Sequence, residues 1–420
     1  MQAHLSVVSA AAPARRLDRF LRTRLLAQLA GLTHGRLTLC DALGTVEFGQ
    51  PTDLDVRVDV LDPAFYRQVA ANGSVGAGEA WMEGLWLCDD LVGLVRLLVR
   101  NRALLDSMER GLARFGGLAL RLWHTLHRNT RAGSRRNIAA HYDLGNEFFK
   151  LFLSRDLMYS SAYWAPDSNP DDDLETASTR KLALICQKLQ LRPGDRVIEI
   201  GTGWGGFALY AARHHGCHVT TTTISREQYE LTRARVAEAG LQDRITLLAD
   251  DYRDLGGHYD KLVSIEMIEA IGAEYLDSFF AQVSQLLKAD GLALIQAITI
   301  EDHRYTQALK AVDFIQRCVF PGSFLPSINA LLEAKTRVSD LGLIAQEDFG
   351  CSYAHTLHVW RERFLARRAD VRKQGFDESF IRAWDFYLAY CEGGFRERSI
   401  GVSHLLLAKP GWHSTGTPAT

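Results

Sequence analysis

Residues 197–206 read VIEIGTGWGG, an apolar run ending in Gly201, Gly203 and Gly206 with the spacing G-x-G-x-x-G. Placed after a strand and at the start of a helix, such glycines let the backbone approach a ligand closely and set it at a helix N-terminus. The loop is therefore predicted to cradle a nucleotide, the alternative being a merely structural turn. A dinucleotide site would place an acid about 20 residues on, at the end of the second strand, to hold a ribose. This chain has Thr221, Thr222, Thr223 and Ile224 there. S-adenosylmethionine brings no pyrophosphate, only an amino-acid end, a ribose and an adenine. Asp250 and Asp251 close the third strand, where an acid can accept the adenine amino group, and Tyr252 can lie beside the ring. That pattern favours S-adenosylmethionine, with a solvated turn as the other reading of the two acids.

Other residues point to no second chemistry. His214, His215 and His218, and separately His355 and His358, have no accompanying carboxylate motif, so no metal is expected. The seven cysteines are scattered and form no C-x-x-C, which suits a reducing cytoplasm and neither a disulfide framework nor zinc. The formal net charge of −2 gives no reason to expect nucleic acid. No apolar run is long enough to cross a bilayer, and the N-terminus lacks the order of a signal peptide. Charge is uneven in one place: Arg96 to Arg136 holds about ten arginines against Asp106 and Glu109, interleaved with leucines and Trp123. That composition suits a basic amphipathic helix on an anionic membrane surface, or an Arg-rich linker.

These residues need elements to hold them. The stretches GRLTLCDALGTVEFG and LDVRVDVLD alternate apolar and polar residues as half-buried strands do, and a helical stretch follows from Pro63. RAGSRR at 131–136 marks a boundary. Residues 1–130 are thus predicted to form a small α+β domain carrying the basic segment, and 131–420 a second domain. In the latter, RVIEIG, HVTTTTIS, ITLLAD, KLVSIEMI and LALIQAITI read as buried strands separated by helices. That alternation predicts a doubly wound, mostly parallel α/β sheet.

The chain resembles the cyclopropane-fatty-acyl-phospholipid synthase family in ordered blocks from about residue 35 to 410. They include HYDLGNEFFKLFL, YSSAYW, VIEIGTGWGGFALYAARHHG, TISREQ, DYRDL, VSIEMIEAIG, FPGSFLPS, SYAHTLHVW and YLAYCEGGF, with GSVGAGEAWMEGLW in the N-terminal part. The resemblance implies transfer of the methyl of S-adenosylmethionine to a cis double bond of a phospholipid acyl chain in a Rossmann-like methyltransferase fold. It implies cofactor contacts from Tyr159, Ser160, Gly201, Thr202, Gly203, Thr223, Ile224, Gln228, Tyr252 and Arg253. It also implies a bicarbonate ion beside the methyl, held by Ser161, Glu269, Gln296, Ile298 and Tyr353, and a further active-site residue at Cys391. Two positions depart from the family pattern: Ser161 stands where cysteine is usual, and Gln296 where many bacterial members have histidine. Both can still donate to an anion.

The implied chemistry explains the residue types. An alkene is a poor nucleophile, and its attack on a sulfonium methyl leaves a carbocation. A base must then take a proton from the new methyl for a ring to close, with water excluded. Glu269 can orient bicarbonate or act as the base itself. Tyr353 can hold the anion and offer its ring to the cation, and Phe314, Phe320 and Phe324 are candidates to line an apolar slot. The expected enzyme is cytoplasmic and peripheral on the inner leaflet, acting on unsaturated phospholipid. The alternatives are a product left methyl- or methylene-branched, a soluble small-molecule methyltransferase, and a non-catalytic S-adenosylmethionine-binding protein. Double-bond position, head group and oligomeric state, a homodimer included, stay open.

Overall fold

The computed structural model describes residues 15–109, 144–166, 169 and 172–413. The chain divides into two compact units. The first holds Met1–Trp123, Ala311–Cys318 and Arg368–Glu397, and the second holds His124–Lys310, Val319–Arg367 and Arg398–Thr420. The single cut expected after residue 130 is thus too simple, since two later segments belong with the first unit. The physical reason lies in the helix Glu378–Arg396, which buries Ile381, Trp384, Leu388, Cys391 and Phe395 together with residues on its other faces. A helix apolar on several sides needs neighbours on several sides, and it packs on the helices Ala64–Met82 and Leu91–Arg100.

The first unit carries strands β1 (Arg36–Asp41), β2 (Gly44–Gly49), β3 (Asp55–Val60) and β4 (Trp86–Cys88), in the order β2-β1-β3-β4. β1 and β3 are parallel and the other pairs antiparallel. The alternation read in their sequences is the alternation of burial, with Leu37, Leu39, Val56 and Val58 inward. Asp90 caps the helix Leu91–Arg100 by accepting from the Gly93 N–H. Leu94 and Leu97 of that helix are core residues. Arg96 and Arg100 donate to Glu397 at 2.7 and 2.8 Å, and Arg100 also pairs with Asp53 at 2.7 Å. These first two arginines of the basic stretch are therefore neutralised inside the unit rather than offered to a membrane. Residues 110–136 of that stretch lie outside the described residues.

The five strands expected in the second unit are β5 (Arg196–Ile200), β6 (His218–Thr222), β7 (Ile245–Leu248), β8 (Tyr259–Ile265) and β9 (Leu287–Ile300). β10 (Gly342–Asp348) and β11 (Ile400–Ala408) extend the sheet to the order β10-β11-β9-β8-β5-β6-β7. β5 to β9 run parallel, and β11 is antiparallel to both its neighbours. After β5 the chain winds one way to β6 and β7, then returns to the other side of β5 to make β8. The crevice at the C-terminal ends of β5 and β8 is thus the switch point where ligands bind in such sheets.

In the first unit a Cβ on Gly393 would lie 2.6 Å from Val95 Cγ1 and 3.3 Å from the Val92 carbonyl oxygen, so only hydrogen fits where these helices cross. Gly393→Val is expected to cost about 1–3 kcal/mol by overpacking, read as a lower urea midpoint for the loss of helical signal.

Candidate active site

The loop after β5 has the shape of a cradle. Gly201, Gly203 and Gly205 take φ of 96°, 52° and 83°, values open to glycine at little cost. A Cβ on Gly203 would meet no atom within 4 Å, so that face is open, whereas one on Gly206 would fall 2.4 Å from Met158 Sδ. Gly203 thus leaves room for a ligand, and Gly206 lets the helix Gly206–His215 pack closely. The Thr202 N–H donates to the Thr222 carbonyl, while Thr202 Oγ1 is buried with no hydrogen-bond partner among the described residues. A buried hydroxyl left so is costly and calls for a ligand. These features fit a nucleoside with an amino-acid end.

Around this loop, Thr223 Oγ1 donates to Gln228 Oε1 at 2.7 Å, and the Ser225 hydroxyl caps the helix Arg226–Glu238. Together they set the turn that carries Ile224. Arg253 lies over the rings of Tyr252 and Tyr275 at 5.5 and 5.4 Å. It also engages both carboxylate oxygens of Asp251, at 2.8 and 2.6 Å. Asp251 is therefore occupied as an ion-pair partner, which leaves the exposed Asp250 as the acid free for a ligand role. The Tyr159 ring packs between those of Phe149 and Trp360, 5.2 and 5.5 Å away. Ser160 Oγ accepts from Nζ of Lys181 at 2.8 Å.

At the C-terminal end of β8 sits a carboxylate that the sequence reading did not single out. Glu266 has φ 48°, one of few residues other than glycine in the left-handed region. Its N–H donates to the Gln296 carbonyl at 2.8 Å, which turns the chain out of the strand. Its Oε1 accepts from the Ser161 N–H at 2.9 Å and from Gln296 Nε2 at 2.7 Å, and its Oε2 accepts from the Tyr353 hydroxyl at 2.8 Å. Gln296 in turn stands opposite His404 of β11 and meets its Nε2 through Oε1 at 2.9 Å. Nζ of Lys188 lies 2.9 Å from the other ring nitrogen, Nδ1, and also pairs with Glu347. A lysine ammonium can only donate, so Nδ1 accepts and Nε2 carries the hydrogen. That fixes the Gln296 amide with its oxygen toward His404 and its NH2 toward Glu266.

Glu269 stands one short turn later. β9 outruns β8, whose last rung is Ile265 opposite Gln296, and the Ile298 N–H beyond it donates to Glu269 Oε1 at 2.5 Å. Glu269 Oε2 is buried with no hydrogen-bond partner among the described residues. Burial, helped by the neighbouring Glu266 charge, raises the pKa of Glu269 to about 8. Burial also lifts Glu266, against its donors from Ser161, Gln296 and Tyr353 and the Lys181 charge. Lys181 is wholly buried and is brought down to about 8 by desolvation. Glu199 on β5, bonded to Thr221 opposite it on β6, is pushed up to about 8 by burial. Three buried carboxyls and one buried ammonium thus share this region, and burial shifts all four toward their neutral forms.

Of the residues implied for the anion site, Ser161, Gln296 and Tyr353 converge on Glu266, and Ile298 on Glu269. Ser161 does so through its backbone, since its hydroxyl donates to the Ala162 carbonyl at 2.8 Å. The side-chain role expected of it is not the one observed. Cys391 is buried in the helix Glu378–Arg396 of the first unit, and burial pushes its thiol up, so it is a neutral thiol. The phenylalanines do not form one set. Phe314 belongs to the first unit, where it packs on Phe386 at 4.7 Å and against Gly78. Phe324, in the second unit, donates its N–H to the Glu269 carbonyl at 3.0 Å. Glu266, Lys181, Lys188 and His404 were missed. The one visible signal was the acid in SIEMIEAIG directly after the β8 apolar run.

Residues 129–405 match the family described as mycolic acid cyclopropane synthetase. The chain is 35% identical over 397 residues to tuberculostearic acid methyltransferase UfaA1 of Mycobacterium tuberculosis, covering 93% of this chain and 91% of that protein. It is 34% identical over 359 residues to cyclopropane-fatty-acyl-phospholipid synthase of Escherichia coli K12, covering 84% and 88%. Among solved structures, mycolic acid cyclopropane synthase CmaA1 complexed with SAH and CTAB superposes with a TM-score of 0.61 at 29% identity, over 66% of this chain and 98% of that one.

The backbone origin of the Ser161 contact makes a prediction. Ser161→Ala keeps the donor to Glu266 and is expected to cost no more than about 1 kcal/mol. Tyr353→Phe removes a hydroxyl from a buried carboxylate and is expected to cost about 2 kcal/mol. Urea unfolding of the two variants side by side measures the difference.

Proposed function

The chain belongs to the mycolic acid cyclopropane synthetase family and is an S-adenosylmethionine-dependent methyltransferase acting on lipid, and from that premise we propose that it methylenates cis-unsaturated phospholipid acyl chains to cyclopropanes. The observation that carries the ring-forming step is Glu269: one oxygen held by the Ile298 N–H, the other buried and without a hydrogen-bond partner among the described residues.

S-adenosylmethionine supplies an electrophilic methyl group on a sulfonium and leaves as a neutral thioether. The residues of this chain do the rest. The Gly201–Gly203 turn and the Thr202 hydroxyl bind and orient. The alkene π pair forms the new carbon–carbon bond as the carbon–sulfur bond breaks, leaving a cation on the adjacent chain carbon. The buried negative charge at Glu266 and Glu269 stabilises that cation. Glu269 Oε2 takes a proton from the new methyl, and the freed C–H pair closes the ring. A base near neutrality in strength suits this step better than an ordinary carboxylate.

A second reading rests on the tuberculostearic acid methyltransferase relative. The same methyl transfer would end with proton loss from the chain, giving a methyl- or methylene-branched product. Incubating the enzyme with labelled S-adenosylmethionine and unsaturated phospholipid vesicles, then identifying the fatty acid, separates the two. The phospholipid and inner-leaflet assignment draws support from the name of the Escherichia coli relative and from the arginines beyond Arg100. Among the described residues no helix is long and apolar enough to cross a membrane. Binding to anionic vesicles is expected to weaken with salt. Equal binding to neutral and anionic vesicles at every salt concentration would sink the membrane assignment.

Two outcomes test Glu269. Glu269→Gln is expected to lower turnover by about two to four orders of magnitude, while S-adenosylmethionine still raises the melting temperature and NAD does not. In the wild type the base must be unprotonated. With its pKa raised to about 8, kcat/KM is expected to rise with pH through the neutral range and to level off above that value. A flat profile across the range removes Glu269 as the base.

A further inference from the structure

The resemblance implies a bicarbonate ion, and the donors implied for it are present. They are already engaged. The Ser161 N–H, Gln296 Nε2 and the Tyr353 hydroxyl all donate to the two oxygens of Glu266, and the Ile298 N–H donates to Glu269. A carboxylate and a bicarbonate present the same planar pair of oxygens, so a donor set that fits one fits the other. A second anion among the same donors would have to compete with Glu266 and Glu269 for them. It would also add like charge to a buried cluster that already raises Glu269 through Glu266. The site as built does not fit a free bicarbonate ion.

We propose that Glu266 is the built-in anion of this site, its carboxylate standing where bicarbonate is implied, so that the enzyme binds and needs no bicarbonate. The inference rests on the proposed reaction only for what the anion does there. Three features show that Glu266 is held for this task. Its backbone is strained in the left-handed region, a cost that persists where surrounding structure imposes it. Its principal side-chain donor is aimed by a relay from Lys188 through His404 to Gln296, with burial keeping His404 neutral. The buried Lys181 supplies the nearest counter-charge. Glu266 is a positioning residue: the proton from the methyl goes to Glu269 Oε2, and Glu266 maintains the negative charge that makes Glu269 a stronger base. The titratable groups facing the pair are Lys181 from the helix Leu174–Lys188, Tyr353 from the helix Gly350–Ala366 and, through Gln296, His404 of β11.

The test uses the full chain in CO2-free buffer with and without added sodium bicarbonate. For the wild type, neither melting temperature nor turnover should change on adding bicarbonate. Glu266→Gly suits the left-handed backbone and vacates the donors. Bicarbonate should then raise its melting temperature by linkage and restore turnover by about tenfold or more from a level reduced by about two orders of magnitude. Glu266→Gln keeps the volume and removes the charge, and its kcat/KM profile should shift to lower pH than the wild type's. Stabilisation or stimulation of the wild type by bicarbonate overturns the inference. So does a folded Glu266→Gly protein that bicarbonate neither stabilises nor activates, or a Glu266→Gln profile that coincides with the wild type's. The melting-temperature arm needs no lipid. If no lipid product forms but bicarbonate stabilises only Glu266→Gly, the anion assignment stands and the proposed reaction falls.

Discussion

Strand β9 runs on where β8 stops, and the chemistry of this site depends on that difference in length. At the last shared rung the Glu266 N–H bonds to Gln296, and the chain leaves the sheet through a left-handed residue. Past that rung the Ile298 N–H has no strand to pair with. A buried amide must find a partner, and it finds Glu269. The same end of the sheet lies at the switch point between β5 and β8, where a Cβ on Gly201 would lie only 3.0 Å from Met267 Cγ. The cradle and the two carboxyls are thus brought together by strand order rather than by nearness in sequence.

Burying three carboxyls with one ammonium is costly unless each is held by hydrogen bonds. The two acids differ in how they are held. Glu266 accepts on both oxygens, whereas one oxygen of Glu269 has no hydrogen-bond partner among the described residues, and burial beside Glu266 raises its pKa.

Much of this was legible beforehand. The β5 loop announced itself because glycine is the residue that takes φ of 96° and 52° at Gly201 and Gly203, and the five parallel strands did so as apolar runs. Glu269 and Tyr353 came from the resemblance, not from spacing. β10 escaped because its residues are mostly exposed and its pairing partner β11 lies some fifty positions on. The helix Glu378–Arg396 escaped because nothing in its own pattern says which core it joins. Glu266 escaped because an acid after a strand reads as the start of a solvated turn. Its function is conferred by Ser161, Gln296 and Tyr353, which arrive from three distant stretches of chain.

The departures at Ser161 and Gln296 take on a different meaning in this light. Ser161 reaches the anion through its N–H, a group every residue but proline possesses, so the identity of its side chain is free to vary there. Gln296 is constrained more tightly. It must accept from His404 and donate to Glu266 at once, and an amide does both in one fixed orientation. A neutral histidine at that position could do the same, donating to the anion with one nitrogen and accepting from His404 with the other. Gln296, His404 and Glu266 therefore form one hydrogen-bonded unit, whose middle member must carry both an acceptor and a donor.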